Sequence, residues 1–297
     1  MSASRPVPRQ AVLIVNVHSR KGEDLYREAE RKLKESGIEL IASHGVRDPR
    51  RLNKIVDQAV ADGAPMVIVG GGDGSLSCTI DFVVHHECVF AILPLGTANS
   101  FARTLGIPLD LDGAIKTIVE GRRRRIDLGR INGDYYANCA ALGLSPMIGD
   151  TVPHKLKRYL GRFGYLIWAA WCFLRFRPFR LTVRNEAGEE TLWATEVRIA
   201  NGSFHGGVEH IEAAEVDSGE IVIQAVAGRS KWRLAWNWMA KYFRLPAREA
   251  VTREFRGRKL RIETEPKLRI SIDGEVLTRT PADVEVASRA VEVVVPA

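Results

Sequence analysis

Short apolar runs alternate with amphipathic stretches over the first 120 residues of the chain. The apolar runs predict strands at Ala11–Val17, Ile38–Ala42, Met66–Val69 and Val89–Leu93. The stretches between and after them carry helical periodicity, and they predict helices at about Asp24–Ser36, Pro49–Asp62, Ser75–His86 and Asp112–Glu120. This alternation predicts a parallel sheet with helices on both of its faces.

After Arg122 the regular alternation of strands and helices ends, and most segments are strand-like. Asn132-Gly133 is a strong hairpin signal between a strand that contains Ile126–Gly129 and one at Tyr135–Leu142. The others are Arg180–Arg184, Thr191–Ala200, Gly219–Val226, Val251–Glu263, Lys267–Asp273 and Val291–Val295. The second half is therefore predicted to be antiparallel, with helical insertions at Lys155–Phe176 and Lys231–Leu245. The predicted division is 1–128, 129–285 and a last strand, 286–297, that returns to the first domain.

The strand at Met66 runs into glycines and a helical pattern, as strand-to-helix turns that bind phosphate do. Glycines let a ligand approach the backbone, and the N–H groups at a helix start favour anions. A lone carboxylate would repel phosphate, so Asp73 makes chemical sense if a divalent cation lies between them. The alternative is a plain tight turn in which Asp73 caps the helix.

Two more polar loops follow predicted strands of the same sheet, at Asn16–Gly22 and Pro94–Arg103. Ligands of such sheets bind at the carboxyl ends of the strands. Three polar, glycine-bearing loops at one edge therefore favour a binding site over a structural turn.

Composition limits the class of protein and of partner. The chain has 297 residues, a formal charge of +7 and a pI of about 9.4, which favour an anionic partner. The four cysteines are Cys78, Cys88, Cys139 and Cys172, and their spacing indicates neither a zinc site nor a disulfide framework. We expect reduced thiols and a cytoplasmic location, no signal peptide and no transmembrane segment.

The two helical insertions combine aromatic residues with Lys and Arg. Trp168 and Trp171 lie in the first insertion, and Trp232, Trp236 and Trp238 lie in the second. Such helices fit an interface with anionic lipid. The alternative is that they cap the core of the second domain. If the protein meets a membrane, we expect it to do so peripherally, at the inner face.

Several motifs together resemble the diacylglycerol kinase catalytic family, which includes bacterial lipid kinases and eukaryotic sphingosine and ceramide kinases. Gly71-Gly72-Asp73-Gly74-Ser75 is similar to the family's G-G-D-G-T loop, and Pro94–Arg103 is similar to P-x-G-T-x-N-D-F-A-R. Asn16–Gly22 is similar to N-P-x-S/A-G, with Val17 in place of proline, and Asp273-Gly274-Glu275 matches a late D-G-E.

The resemblance implies a fold and an activity. The expected fold is an N-terminal α/β domain, phosphofructokinase-like and three-layered with a mostly parallel sheet, plus a C-terminal antiparallel β-sandwich domain with helical insertions. The expected activity is transfer of the γ-phosphoryl group of ATP, with Mg²⁺, to a lipid hydroxyl. Diacylglycerol is the first-choice acceptor, and a sphingoid base or ceramide is the alternative.

Site residues also follow from the resemblance. The residues expected to contact ATP are Asn16, Ser43, Gly71, Gly72, Asp73, Gly74, Ser75, Leu76, Ser77, Thr97 and Asn99. Asp73, Asp127 and Asp217 are expected to bind Mg²⁺. Glu275 is expected to be the catalytic base, and Asp73 is the second residue expected to be catalytic. Two positions depart from the family pattern: Ser100 replaces an Asp, and Ser218 precedes Gly219 where a D-G turn would hold a structural Mg²⁺.

Three other functions compete with this interpretation. An NAD kinase shares the G-G-D-G turn, and an inactive nucleotide or lipid sensor would explain Ser100. Nucleic-acid binding is disfavoured because the basic residues are spread over many elements without a recognised motif. The oligomeric state is left open, with a homodimer as one option.

Overall fold

The structure is a computed structural model. It describes residues 5–19, 21–205, 208, 209, 211, 214–232, 236, 239, 240, 243, 245, 252–273 and 275–297. Within these ranges, side chains are described except at 49, 149, 150, 154–163, 165, 205, 208, 209 and 275–277.

The first half alternates strands and helices as predicted. Its elements are β1 Gln10–Asn16, α1 Gly22–Glu35, β2 Glu39–Val46, α2 Pro49–Ala61, β3 Met66–Gly71, α3 Asp73–Ile80, β4 Val89–Pro94, α4 Ser100–Thr104 and α5 Leu111–Glu120. Local signals explain several boundaries. The Asp48 carboxylate accepts a hydrogen bond from the Arg50 N–H at 3.0 Å and so caps α2, with Pro49 in its first turn.

The second half is rich in strands. Its elements are β5 Arg122–Ile131, β6 Asp134–Tyr136, β7 Cys139–Gly143, α6 Leu144–Thr151, α7 His154–Arg175, β8 Phe179–Asn185, β9 Gly188–Ala200, β10 Phe204–His205, β11 Val208–Glu209, β12 Ile221–Ala227, β13 Thr252–Gly257, β14 Lys259–Glu265, β15 Arg269–Ile272, β16 Glu275–Arg279 and β17 Ala282–Val295. The helical insertion predicted at Lys155–Phe176 is α7. Much of the one predicted at Lys231–Leu245 lies outside the described residues.

Strand pairing confirms the predicted fold class. In the first half, β2, β1, β3 and β4 lie side by side in that order, and all three pairings are parallel. In the second half, β7, β9, β8 and β14 pair in antiparallel fashion, and β12 joins β9 on a branch. A parallel sheet with helices and an antiparallel sheet thus occupy separate parts of the chain.

The last strand connects the two sheets. The start of β17 pairs antiparallel with β14, whereas Glu292 and Val293 pair in parallel with Val89 and Phe90 of β4. Strand β5 runs antiparallel to both parts of β17. One continuous sheet therefore passes from the first half into the second.

Several predicted boundaries differ from the observed ones. Helix α3 ends at Ile80 and is followed by turns, so it is shorter than the predicted helix, and α4 was not predicted. The predicted strand at Val251–Glu263 is divided at Arg258 into β13 and β14. In the described part of the chain, none of the helices is long and apolar enough to cross a membrane.

Candidate active site

The first loop of the site lies between β3 and α3. Gly72 precedes the helix with an extended backbone, and its carbonyl accepts hydrogen bonds from the N–H groups of Ser75 and Leu76 at 2.9 and 3.1 Å. Helix N–H groups point towards the N-terminus, and the first of them have no intrahelical acceptor. The loop therefore offers backbone donors to an anion.

The loop after β4 approaches this first loop backbone to backbone. A Cβ atom added to Gly96 would lie 2.4 Å from the Cα of Gly72, a distance that real Cβ contacts essentially never show. Asn99 holds the loop in shape from a left-handed conformation. Its Oδ1 accepts from the Gly96 N–H at 2.9 Å, and its Nδ2 donates to the Gly96 carbonyl at 3.0 Å. A side chain at Gly96 would therefore separate the loops.

Hydrogen bonds join the three loops that the sequence placed at one edge of the sheet. The Asp73 Oδ1 accepts from the Phe101 N–H at 3.1 Å, which links α3 to α4. The Asn16 Nδ2 donates to the Ser75 Oγ at 2.8 Å, which links α3 to the end of β1. The structure thus brings together the loops after β1, β3 and β4.

Open space adjoins the first turn of α3. Gly74 is exposed, and a Cβ added there would meet no atom within 4 Å. Thr97 in the second loop is also exposed. A ligand can therefore reach the backbone of α3, and a side chain at Gly74 would intrude on it.

The second domain meets α3 at the end of β15. The Ser77 hydroxyl donates to the Asp273 Oδ2 at 2.9 Å, across 196 positions of sequence. Near it, the Thr104 hydroxyl donates to the Asn138 Oδ1 at 2.8 Å. These two hydrogen bonds join α3 and α4 to the antiparallel domain. Neither hydrogen bond was predicted, although the resemblance implies that Glu275 of the same hairpin belongs to the site.

A cavity of about 260 Å³ lies along this junction. Gly74, Ser77, Asp81, Asp134 and Asp273 are among its lining residues. Burial raises the pKa of the Asp81 carboxyl to about 6, and the nearby carboxylates of Asp134 and Asp273 add to the effect. Three carboxylates therefore lie at this edge of the junction.

Other predicted site residues lie in different surroundings. The Ser43 hydroxyl bonds the Tyr26 hydroxyl at 2.8 Å, between β2 and α1. Glu275 begins β16 and pairs through its backbone with Ile272, so it belongs to the hairpin that contains Asp273. Its side chain and Gly274 lie outside the described residues.

The two further carboxylates predicted at Mg²⁺ have other partners. Asp127 is buried, and its two oxygens accept from the Gly219 and Arg289 N–H groups at 2.8 and 2.7 Å. Asp217 forms an ion pair with Arg124. Among the described side chains, no three of His, Cys, Asp or Glu are grouped closely enough for a metal site.

Comparisons with known proteins agree with the fold and the loops. Residues 10–131 match the diacylglycerol kinase catalytic domain, and residues 140–295 match the YegS C-terminal NAD kinase beta sandwich-like domain. A relative in Salmonella arizonae named "Probable lipid kinase YegS" is 33% identical over 73% of this chain and 74% of its own. One of the same name in Escherichia fergusonii is 34% identical over 68% of both chains.

Solved structures with low sequence identity share the whole fold. A crystal structure of a diacylglycerol kinase from Bacillus anthracis str. Sterne aligns with a TM-score of 0.75 at 20% identity, over 97% of both chains. Another chain from that organism aligns with a TM-score of 0.81 at 22% identity, over 99% of this chain and 98% of its own. With both domains matched and relatives at this level of identity, the chain belongs to the diacylglycerol kinase catalytic family and is a phosphotransferase.

Proposed function

We propose that the protein is an ATP-dependent lipid kinase that transfers the γ-phosphoryl group to a lipid hydroxyl. Diacylglycerol is the first acceptor to test, followed by a sphingoid base and ceramide. The observation that carries the proposal is the junction of the three loops with the hairpin that contains Glu275, made through Ser77 and Asp273 at 2.9 Å. Phosphoryl transfer needs this combination of anion donors and a carboxylate near the acceptor.

The loops fit the phosphates of a nucleotide. The start of α3 offers N–H donors, and the open space beside Gly74 gives a ligand access to them. Asn16 supports this turn through the Ser75 hydroxyl, and Leu76 is buried and anchors the helix. Asn99 contributes by holding the shape of the second loop, since its amide is bonded to the loop backbone.

Asp73 is the residue that fits a metal ion. Mg²⁺ is commonly held by one or two carboxylates together with substrate phosphates, so a single carboxylate suffices when the nucleotide supplies the other ligands. Bound there, Mg²⁺ would neutralise phosphate charge as ATP supplies the γ-phosphoryl group. We do not extend the metal assignment to Asp127, because backbone N–H groups bond to both of its oxygens, or to Asp217, because it is paired with Arg124.

Glu275 is the proposed base, and its part is to accept the proton of the lipid hydroxyl. It lies two residues after Asp273, and Asp273 contacts the helix that begins at Asp73. Asp73 and Glu275 thus belong to elements on opposite sides of the junction. One would hold the cation and the other would activate the acceptor.

The test is transfer of label from γ-labelled ATP to lipid. Purified protein, Mg²⁺ and mixed micelles of diacylglycerol, sphingosine or ceramide should give a labelled phospholipid. Glu275→Gln should lower kcat by roughly 10² or more while the affinity for ATP stays unchanged, because a general base supplies about that factor. Absence of transfer to any lipid would refute the proposal, and unchanged turnover in the variant would remove Glu275 from its role.

We also propose that the protein meets an anionic membrane surface with α7 and the segment 231–245. Large apolar side chains are exposed there: Leu166, Ile167, Trp171, Leu174, Trp232, Trp236, Met239, Phe243 and Leu245. The two segments touch, since the Phe173 and Trp232 rings pack edge to face at 5.3 Å and Lys231 donates to the Leu174 carbonyl at 2.7 Å. Exposed apolar side chains beside cations fit the surface of an anionic bilayer.

Vesicle sedimentation tests this surface. In Leu174→Ser/Trp232→Ser, two side chains that are 72% and 69% exposed lose their apolar area. Binding to phosphatidylglycerol vesicles should weaken, and KM should rise for lipid in vesicles but not for a short-chain soluble acceptor. Ile41→Ser is the matched control, because Ile41 is 56% exposed on β2 in the other domain. Equal binding by both variants would place the membrane contact elsewhere.

NAD is a second candidate acceptor, because the domain matched at residues 140–295 is described as NAD kinase beta sandwich-like. Incubation with NAD and labelled ATP separates the two activities. Label in NADP and none in lipid would favour the NAD kinase. Binding of ATP with no transfer to either acceptor would indicate an inactive homologue, for which Ser100 in place of the family's Asp is the sequence support.

A further inference from the structure

Asp273 bonds to two other segments of the chain through one carboxylate. Its Oδ1 accepts from the Cys139 N–H at 3.1 Å, and its Oδ2 accepts from the Ala137 N–H at 3.0 Å and from the Ser77 hydroxyl at 2.9 Å. Its own N–H donates to the Cys139 carbonyl at 3.1 Å. The residue therefore ties the end of β15 to the start of β7, and both of these to helix α3 of the first domain.

Asp273 lies at the turn between β15 and β16. Asp273 has a φ of 45°, in the left-handed region, which Asp and Asn tolerate better than most residues. Strand β16 begins two residues later, and Ile272 pairs with Glu275 across the hairpin. The backbone of Glu275 is therefore paired with that of Ile272, the residue directly before Asp273.

On the other side of the bond, Ser77 lies one helical turn after Asp73. Both belong to α3, a continuous helix from Asp73 to Ile80, so their relative positions are set by helix geometry. The Ser77–Asp273 hydrogen bond thus joins the helix that begins at the residue proposed to hold the cation to the hairpin that contains the residue proposed to act as base. A shift at this bond changes the position of that hairpin relative to α3.

We infer that Asp273 is a positioning residue that, through Ser77, sets the distance between the Glu275 hairpin and the nucleotide loop. The inference rests on the proposed lipid kinase activity and on Glu275 as its base. Asp273 need not touch either substrate, because its oxygens are bonded to Ser77, Ala137 and Cys139. Its contribution is alignment, which governs kcat more than the affinity for either substrate.

Asparagine cannot replace the carboxylate without loss. A carboxylate accepts at both oxygens, whereas the amide of Asn accepts at one oxygen and carries hydrogens at the nitrogen. In Asp273→Asn the nitrogen would face at least one of the N–H or O–H donors that now bond to Oδ1 and Oδ2. Because Asn also tolerates the left-handed backbone, the variant tests the hydrogen bonds rather than the turn.

Ser77→Ala is the sharper variant, because it removes the contact to the first domain and leaves the bonds of Asp273 to Ala137 and Cys139. We expect kcat to fall roughly tenfold to a hundredfold, which is the scale of a misplacement of about 1 Å. We assign the Ser77 hydroxyl to Asp273 and not to ATP, so the Kd for ATP, measured by titration calorimetry, should stay within about twofold of wild type, as should KM for lipid. Ser77→Thr keeps a hydroxyl and should recover most of the turnover.

Thr104→Val is the matched control. It removes the neighbouring hydrogen bond between the domains, from the Thr104 hydroxyl to Asn138 at 2.8 Å, which does not involve the hairpin. We expect its kcat to stay within about twofold of wild type. An equal loss of kcat in Ser77→Ala and Thr104→Val would overturn the inference, as would a loss that appears in the Kd for ATP.

Hydrogen exchange separates this inference from the proposed function. Backbone N–H groups of residues 268–279 should exchange faster in Ser77→Ala than in wild type or Thr104→Val, whether or not the protein phosphorylates lipid. Faster exchange without lipid phosphorylation would support the contact and refute the kinase proposal. Unchanged exchange in Ser77→Ala would refute the positioning role of Asp273, even if the wild-type protein is an active lipid kinase.

Discussion

Gly96→Ala tests whether the close approach of the two glycine loops builds the nucleotide site. An added Cβ would lie 2.4 Å from the Cα of Gly72 and 2.8 Å from the Asn99 Oδ1. Non-bonded carbons pack at roughly 3.5–4.0 Å, so the loops must separate by about 1–1.5 Å. The Asn99 amide, which holds the loop, would be displaced by the same change.

The size of the effect follows from this displacement. Overpacking at a well-packed site costs about 1–3 kcal/mol of the free energy of unfolding, which corresponds to a fall in Tm of several degrees for a chain of this length. A shift of about 1 Å in groups that hold reacting atoms can lower turnover by roughly 10². We therefore expect a modest loss of stability together with a large loss of ATP affinity and turnover.

Gly106→Ala is the control for stability. Gly106 has a φ of +71° and no atom within 4 Å of an added Cβ, so the substitution strains the backbone without separating the loops. A left-handed conformation costs a residue with a Cβ about 1–2 kcal/mol. Calorimetric titration with ATP and thermal unfolding of both variants would decide. Equal ATP affinity in Gly96→Ala and Gly106→Ala would refute the role given to the loop contact.

Three further predictions concern stability and pH. Gly129→Ala should lower the free energy of unfolding by about 1–3 kcal/mol, because its Cβ would lie 2.0 Å from the Tyr136 Cζ. Tyr136→Phe should leave Tm unchanged or raise it, since the buried hydroxyl has no hydrogen-bond partner among the described residues; a fall in Tm would contradict this. The pKa of the Asp81 carboxyl is raised to about 6 in the folded protein. The folded protein therefore binds a proton at Asp81 more readily than the unfolded chain does, and the free energy of unfolding falls as the pH rises from about 4 to 6. In Asp81→Asn this part of the dependence of Tm on pH should vanish. The prediction is refuted if the difference in Tm between pH 4 and pH 7 is the same in the variant as in wild type.

Much of the first domain could be predicted because its signals are local. Continuous apolar runs mark β1, β3 and β4, which are buried, and Asp48 with Pro49 marks the start of α2. The loops after parallel strands must lie at one edge, so three such loops in the sequence are enough to predict that they meet. For this reason the loops that carry Asn16, Asp73 and Phe101 are joined by hydrogen bonds.

The boundaries that sequence missed depend on contacts distant along the chain. The pattern predicted one strand over Tyr135–Leu142, but the strand is interrupted at Ala137 and Asn138. There the Asn201 Nδ2 donates to the carbonyls of Asp127 and Ala137, both at 2.9 Å. The alternation of apolar residues carries no information about such a contact. The Ser77–Asp273 bond was missed for the same reason, although both residues lie in motifs that the sequence analysis identified.

Asp127, which the resemblance places at Mg²⁺, also has a part in the fold. Strand β17 changes register between Ala287 and Val291, between its pairing with β14 and its pairing with β4. Arg289 lies at this irregularity with a φ of 52°, and its N–H donates to the Asp127 Oδ1 at 2.7 Å. The other oxygen of the buried carboxylate holds the turn at Gly219. Asp127 therefore holds both the irregular part of β17 and the turn at Gly219, next to the point at which the sheet passes from one domain to the other.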